Sequence, residues 1–475
     1  MVAVLPLFLL LLSSSLAAGA ADDDHEFTVM ALSSLWLKPN ATCSGHRVTP
    51  PHNTGWVPLS RPLGPCSPSS SSSSRAAKAR PSLGDLLRQD RLRVADIHRR
   101  LSGDFRELKG SKKQPAVVEE TQIHHQSALE LKLGTEQRDS QGIGPAATDG
   151  GSSAGVVQTV VLDTASDVPW VQCVPCAIEP CPTYDPTRSS TYAAVPCNAT
   201  ACRRLGPYGN GCVNGQCQYR IVYPDGSSTS GTYSSDVLAI DDGDAVAAFR
   251  FGCSQAEQGS FDPQTSGIMA LGRGGASLVS QTAASYGAAF SYCLPPADDI
   301  KGFFVLGAPP EAAYRFARTP MLRDRRAPTM YRVLLRAITV AGRPLNVPPE
   351  VFAAGSVLDS RTIVTRLPLT AYQALRAAFR GRMAGYRRAE PREELDTCYD
   401  LAGVRRVRLP RIALVFDPNV VVELDPSGVL LDGCLAFTYN ANDTVQGILG
   451  NTQQKTIEVL HDIGGAAVGF RRAAC

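Results

Sequence analysis

Two segments far apart in the chain repeat one pattern: Val160-Val161-Leu162-Asp163-Thr164-Ala165-Ser166 and Ser356-Val357-Leu358-Asp359-Ser360-Arg361-Thr362. Each is an apolar, strand-like run that ends in Asp, continues with a hydroxyl residue and enters a turn. Each is followed at a distance by an apolar pair and a small residue, Ile268-Met269-Ala270 in the first case and Ile448-Leu449-Gly450 in the second. A lone Asp after an apolar run is ordinarily a solvated turn residue. Two in matching settings mark an internal duplication of motif order, which predicts two lobes of similar design.

The chain around them reads as strands. From Val156 onward, short β-type runs alternate with Gly and Pro turns: Val156–Leu162, Tyr219–Tyr223, Phe249–Phe251, Tyr331–Leu335 and Ile412–Phe416. Helical periodicity is confined to Ser277–Tyr286 and Leu369–Tyr386 there, so the fold class is mostly β with few short helices. Hydrophobic residues make up 44% and charged residues 19%, which suits a sizeable core. With 47 basic against 44 acidic residues, the net charge of +3 argues against a nucleic-acid binder.

The first 21 residues read as a secretory signal: an apolar run from Val2 to Leu12, then small residues up to Ala21 and the acidic cluster Asp22-Asp23-Asp24. No Lys or Arg precedes the apolar run, and no later stretch is long and apolar enough for a bilayer. Fourteen cysteines, seven of them between Cys173 and Cys217, fit disulfides in an exported chain. A zinc site at Cys173-x-x-Cys176 lacks a second ligand pair at the required spacing. Nine cysteines lie between Cys173 and Cys293 and three beyond. If these twelve pair among themselves, at least one bridge joins the two halves. Acceptor triplets begin at Asn40, Asn198 and Asn442. The expected destination is secreted and extracellular, with the vacuole as the alternative.

Residues 22–150 hold a Pro/Ser-rich stretch and a Gly/Ser/Ala/Asp-rich one, which predict partial disorder and a linker. Between them, Leu86 to Leu101 places apolar residues at helical spacing on a basic background, predicting a helix near 84–101. A helix lying on a membrane and a prosegment helix covering an acidic cleft both fit that pattern.

Two carboxylates facing each other across a lobe interface cannot both ionise easily and titrate as a coupled pair. The ionised one can take a proton from water while its protonated partner hydrogen-bonds a substrate carbonyl. Such a pair hydrolyses peptide bonds without a covalent intermediate. It needs neither metal nor cofactor.

The residues resemble the pepsin-like aspartic proteases, in particular the plant nepenthesin-like branch. Asp163-Thr-Ala-Ser-Asp-Val-Pro-Trp-Val-Gln-Cys173 is similar to the first active-site segment. The cysteine-rich insertion at 173–217 is similar to the one that marks this branch, and Tyr223-Pro-Asp-Gly-Ser227 resembles the flap. Phe251-Gly-Cys253, Gly267–Gly272, Phe290–Leu294, Leu395–Tyr399, Ile448–Asn451, Val468–Phe470 and Cys475 follow in family order, and Leu87–Leu101 resembles the prosegment. The resemblance implies a bilobal fold, two β-rich lobes with a cleft between them. The first lobe would span 151–320, with a flap near 219–232, and the second 321–475. It implies Asp163 and Asp359 as the catalytic pair and Thr164 and Ser360 as supports bonding across the lobes. Ser166 and Thr362 would bond the carboxylates, Tyr223 would cover the cleft and Trp170 would brace it. Protein or peptide substrates, acidic working pH and a monomer without nucleic acid or membrane span complete the expectation.

Four departures stand out. The family carries Gly after each Asp-Thr/Ser pair, where this chain has Ala165 and Arg361; Pro224 replaces the Gly after the flap Tyr; and the strand before Asp163 is expected in Gly142–Thr148. Arg361 matters most, because a cation about 4 Å from a carboxylate is worth roughly 4 kcal/mol at an effective dielectric near 20. That leaves two readings: an endopeptidase, or a binding or inhibitor protein on the same scaffold with an impaired dyad. Asp396 and His461 read as solvated or structural residues, not catalytic ones.

Overall fold

The computed structural model describes residues 26–31, 42–46, 55–62, 64–67, 82–103, 126–135, 155–175, 184–240, 243–259, 261, 265–309 and 315–475. The signal-like segment, Asn40, Cys176, Cys181 and Gly142–Thr148 lie outside the described residues.

The duplication predicted by the two Asp segments is present in the strand pairing. In the first lobe, strand Val156–Asp163 runs parallel to Gly267–Ala270, with Ile268 opposite Val161 and Ala270 opposite Asp163. In the second, Ser356–Leu358 runs parallel to Gly447–Leu449, with Val357 opposite Ile448. A third strand then pairs antiparallel in each, Trp170–Gln172 in one lobe and Thr365–Leu367 in the other. A fourth joins that one in parallel, Ala245–Gln258 and Phe437–Tyr439 respectively. Parallel strands are covered on both faces, which is why both Asp segments read as continuous apolar runs rather than alternating ones. The fold is the expected bilobal, mostly β architecture.

Strands Ala289–Cys293, Gly302–Leu306, Glu458–Asp462 and Ala467–Arg471 form a sheet shared by the two lobes. Trp56–Ser60, from the stretch expected to be partly disordered, is an inner strand of it between Gly302–Leu306 and Ala128–Leu133. The strand that pairs with the Asp163 segment is Ala128–Leu133, ending in Gly134-Thr135, with Ala128 opposite Val161. This corrects the placement at Gly142–Thr148 and carries the first lobe's sheet upstream of residue 151. The physical reason is pattern: Leu129, Leu131 and Leu133 are buried at every second position, whereas the Gly/Pro/Ala run offers no such face.

Among the described residues, six disulfides pair all twelve cysteines. Cys173 bridges to Cys253, which removes it from any zinc site, and Cys293 bridges to Cys475 across the two halves. No helix among them is long and apolar enough to cross a membrane.

The cleft helix spans Leu83–Leu101. Ser82 caps it by accepting the Asp85 amide, while the Asp85 side chain accepts the Ser82 amide. Its buried face is Leu86, Leu87, Asp90, Val94, Ile97 and Leu101. Leu86 and Leu87 pack on Ile363, Val364, Leu395 and Leu431, and Val94, Ile97 and Leu101 on Met330, Val357 and Ile448. Each buried aliphatic side chain contributes roughly 1.5–3 kcal/mol of docking as an upper estimate. The helix therefore lies on the cleft side of the second lobe, not on an exposed surface.

Candidate active site

Asp163 ends its strand and Asp359 follows Ser356–Leu358 directly; both side chains are fully buried. The two turns are locked to each other. The Thr164 amide donates to Ser360 Oγ at 3.1 Å, and the Ser360 amide to Thr164 Oγ1 at 3.0 Å. Thr164 Oγ1 donates to the Leu358 carbonyl and Ser360 Oγ to the Leu162 carbonyl. This reciprocal set holds the carboxylates at one point of the lobe junction. Ser166 Oγ donates to Asp163 Oδ2 at 2.7 Å and the Ala165 amide to Oδ1 at 2.9 Å. Thr362 donates to Asp359 Oδ2 through its hydroxyl at 2.5 Å and its amide at 2.9 Å.

One guanidinium bridges both acids. Arg93 of the cleft helix donates from Nε and Nη2 to Asp359 at 2.6 and 2.5 Å, and from Nη2 and Nη1 to Asp163 at 2.8 and 3.4 Å. Arg361 adds a second cation: its Nη1 lies 3.0 Å from Asp163 Oδ2, and its side chain is only 10% exposed, turned into the cleft rather than out to solvent. Burial pushes the Asp163 carboxyl up, but Arg93 and Arg361 outweigh it and hold it well below the carboxylate range. Burial acts likewise on Asp359, and Arg93 again more than offsets it. Both acids are ionised in this closed arrangement.

Neither Ala165 nor Arg361 is among the described residues with positive φ, so neither turn requires glycine on conformational grounds. The Ala165 carbonyl accepts from Arg100 Nη1 of the cleft helix at 2.8 Å.

The hairpin formed by Gln216–Val222 and Ser228–Ala239 carries the turn at Tyr223. Pro224 is accommodated: the Tyr223 amide donates to the Ser227 carbonyl, and Asp225 accepts the Ser227 amide. Trp170 Nε1 donates to the Tyr223 hydroxyl at 2.7 Å, and Phe261 packs edge-on against both rings. Between flap and helix a cavity of about 460 Å³ remains, bounded by Trp170, Tyr223, Phe261, Ile268, Leu92 and Arg361. Asn198 and Asn442 are exposed. Asp396 accepts from the Tyr372 hydroxyl and Arg376, and His461 is buried against Phe290 with ring centroids 4.5 Å apart, so both are packing residues.

Arg93 and Asp90 are the residues the sequence reading missed. Their signal was a charged residue at each of two positions on an apolar helical stripe, Leu86, Asp90, Arg93, Val94 and Ile97.

Comparisons with known proteins agree with this architecture. Residues 151–308 match the family model described as xylanase inhibitor N-terminal, and 330–472 its C-terminal counterpart. An aspartyl protease family protein of Arabidopsis thaliana is 33% identical over 410 residues, 82% of each chain. Aspartic proteinase nepenthesin-2 of Nepenthes gracilis is 30% identical over 67% of this chain and 74% of its own. The soybean Basic 7S globulin crystal structure superimposes with a TM-score of 0.57 at 21% identity, covering 73% of this chain and 91% of the other. The chain belongs to the pepsin-like aspartyl protease family, beside plant members that include the nepenthesins.

Proposed function

We propose that this chain is the latent form of an aspartic endopeptidase whose dyad is Asp163 and Asp359. The observation that carries the reading is the meeting of two fully buried carboxylates, supplied by duplicated turns, under a single guanidinium from a separable helix. Withdrawal of Arg93 leaves a site for one water between the acids. Asp163, held ionised by Arg361, takes the proton from that water as it attacks the peptide carbonyl. Asp359 gives its proton to the carbonyl oxygen as the tetrahedral diol forms. Asp163 then passes the proton taken from water to the amide nitrogen as the C–N bond breaks, and Asp359 recovers a proton from the diol as the new carboxyl group forms. Tyr223 and Trp170 close the flap side. The exposed Asn198 and Asn442 and the disulfides support export and glycosylation as part of the proposal.

Arg361 also favours a second reading, an inhibitor or other binding protein. Its pairing with Asp163 opposes the shared proton that hydrolysis needs, and the matching family models carry the xylanase inhibitor description. The test is cleavage of a denatured protein at acid pH after removal of the cleft helix, with and without pepstatin. Pepstatin-sensitive cleavage that is lost in Asp163→Asn supports the protease. An inert wild type that gains activity as Arg361→Gly selects the binding protein.

A further inference from the structure

The chain upstream of the cleft helix contributes a strand that stands outside both duplicated sheets. Phe27–Ala31 pairs antiparallel with Arg406–Pro410, Met30 opposite Val407 and Val29 opposite Arg408, and the two strands form a sheet by themselves. One edge of Arg406–Pro410 is closed: the Arg408 amide donates to the Tyr386 hydroxyl at 2.8 Å, and Pro410 has no amide to offer. Amides alternate in direction along a strand, so those of Val407, Leu409 and Arg411 face the other edge. There the Arg411 amide donates to the Glu26 carbonyl at 3.0 Å. Without Phe27–Ala31, this edge is an open template for an extended peptide.

The side chains around the edge select what lies on it. Inward, Val407 and Leu409 are buried in the core, and Met30 completes that apolar patch at 9% exposed. Outward, the Arg408 guanidinium carbon lies 4.3 Å from the centroid of the Phe27 ring and that of Arg382 lies 5.8 Å from it, so two cations hold one ring. Arg382, in the last turn of helix Leu369–Arg382, also donates to the Glu26 carboxylate, and Arg343 stands 3.6 Å from its other oxygen. Three features are read together: an acid, an aromatic ring next to it, and an apolar side chain three positions beyond the ring. None of these residues lines the cleft cavity.

The segment seated there is lightly held. Its five residues pair on one side only, and Val29 is 59% exposed. Trp56–Ser60, by contrast, is paired on both sides, with Val57 and Leu59 buried. Short strands on a single edge belong to the parts of a fold that open first. Both cysteines upstream of the helix, Cys43 and Cys66, pair with each other. A cut between Leu101 and Ala128 therefore leaves Phe27–Ala31 with no covalent tie to the lobes. We propose that the edge of Arg406–Pro410 is a peptide-docking site separate from the cleft. Phe27–Ala31 occupies it as a stand-in, and once vacated it takes an extended segment of a protein partner with the pattern acid, aromatic, any, any, apolar. The inference does not rest on whether the cleft cuts peptide bonds.

Binding of a dye-labelled, end-blocked peptide Glu-Phe-Thr-Val-Met-Ala to the full-length chain, read by fluorescence anisotropy, tests this. Two variants vacate the edge without altering it. Met30→Asp puts a charge into the apolar patch, and Glu26→Ala combined with Phe27→Ala removes the outward contacts, so that if one fails to fold the other decides. The wild type should bind the peptide at least about tenfold more weakly than either variant, because its own tethered segment competes. In a vacated variant, Arg382→Ala should weaken binding by roughly tenfold, as loss of a charge-assisted hydrogen bond does. A peptide with Ala in place of its Phe should also bind more weakly. Equal binding by the wild type and the vacated variants, or binding indifferent to both Arg382→Ala and the loss of the Phe ring, overturns the proposal. Sedimentation of the wild type checks the occupant: a monomer at every concentration is expected. Dimers that Arg382→Ala dissolves would seat the segment of a second copy there and overturn the assignment to a separate partner. No arm depends on catalysis, so an inactive cleft leaves the result readable.

Discussion

The turns Asp163-Thr164-Ala165-Ser166 and Asp359-Ser360-Arg361-Thr362 occupy equivalent places in the two lobes, yet they treat their carboxylates unequally. Both acids are buried, both accept a hydroxyl three residues on, and each turn bonds the other through its Thr or Ser. The difference lies at one position. Ala165 brings only a methyl and no charge, while Arg361 reaches across the junction to Asp163. Asp163 therefore faces two guanidinium groups in the closed form and Asp359 one. A duplicated backbone fixes where charges sit, but a single side chain decides how a proton is divided between them.

The largest expected effect comes from removing the cation the two lobes share. In the full-length chain, Arg93→Ala leaves two facing buried carboxylates without their bridge, and loss of one partner from a buried ion pair costs about 3–5 kcal/mol. That is on the order of a hundredfold or more in helix opening. Limited proteolysis within residues 82–103 should accelerate accordingly, while the disulfide-bonded lobes stay resistant. Equal protection in wild type and variant would mean that apolar docking alone holds the helix.

Removing the cation that belongs to one lobe only should act next most strongly. With the helix gone, Arg361 keeps depressing Asp163, so the singly protonated dyad exists only at low pH. The sign is therefore fixed: Arg361→Gly raises the dyad's first titration and moves the activity optimum upward, by roughly two to three pH units for an interaction near 3–4 kcal/mol. A pH–rate profile of the two matured proteins measures the shift. A profile unchanged in position would show that Arg361 leaves Asp163 once the helix has gone.

The duplication was legible before the structure because it is written in local terms: apolar run, Asp, hydroxyl, turn, then a second apolar pair. So was the flap, through Tyr223 and Trp170. The strand Ala128–Leu133 was not: Leu-Glu-Leu-Lys-Leu alternates as a half-covered strand does, but it stands well upstream of Gly142–Thr148, and its partner Val156–Val161 lies across a long intervening segment. Trp56–Ser60 was hidden by its Pro and Ser neighbours; its order comes from long-range pairing with Phe303 and Leu129, which no local pattern reports. The amphipathic stripe of the cleft helix was visible, but its two readings, membrane or cleft, diverged. Only the partners of Arg93 and Asp90, both distant in sequence, separate them.

A smaller effect is expected on the first lobe's flap, which has no equivalent against the second acid. Trp170→Phe removes the hydrogen bond to Tyr223 while keeping an aromatic ring edge-on to Phe261, a loss of about 1 kcal/mol. The expected outcome is a rise in KM of severalfold with little change in kcat, since the bond positions the flap and does not touch the dyad. An equal fall in kcat at constant KM would place Tyr223 in the transition state instead.

The smallest effect should come from restoring symmetry at the other altered position. Ala165 sits outside the positive-φ region, and its methyl blocks none of the bonds to Asp163: the Ala165 amide still donates to Oδ1, and Ser166 still reaches Oδ2. Ala165→Gly therefore alters only chain entropy, by about 0.4–1 kcal/mol of destabilisation. In the matured protein it should leave the pH–rate profile where it stands. The same Ala165→Gly change made beside Arg361→Gly should add nothing beyond that small loss of stability, as thermal unfolding of the double variant would show. A further shift of the optimum in the double variant would mean that the methyl of Ala165 also shapes the dyad's protonation, and the asymmetry between the lobes would then rest on two side chains instead of one.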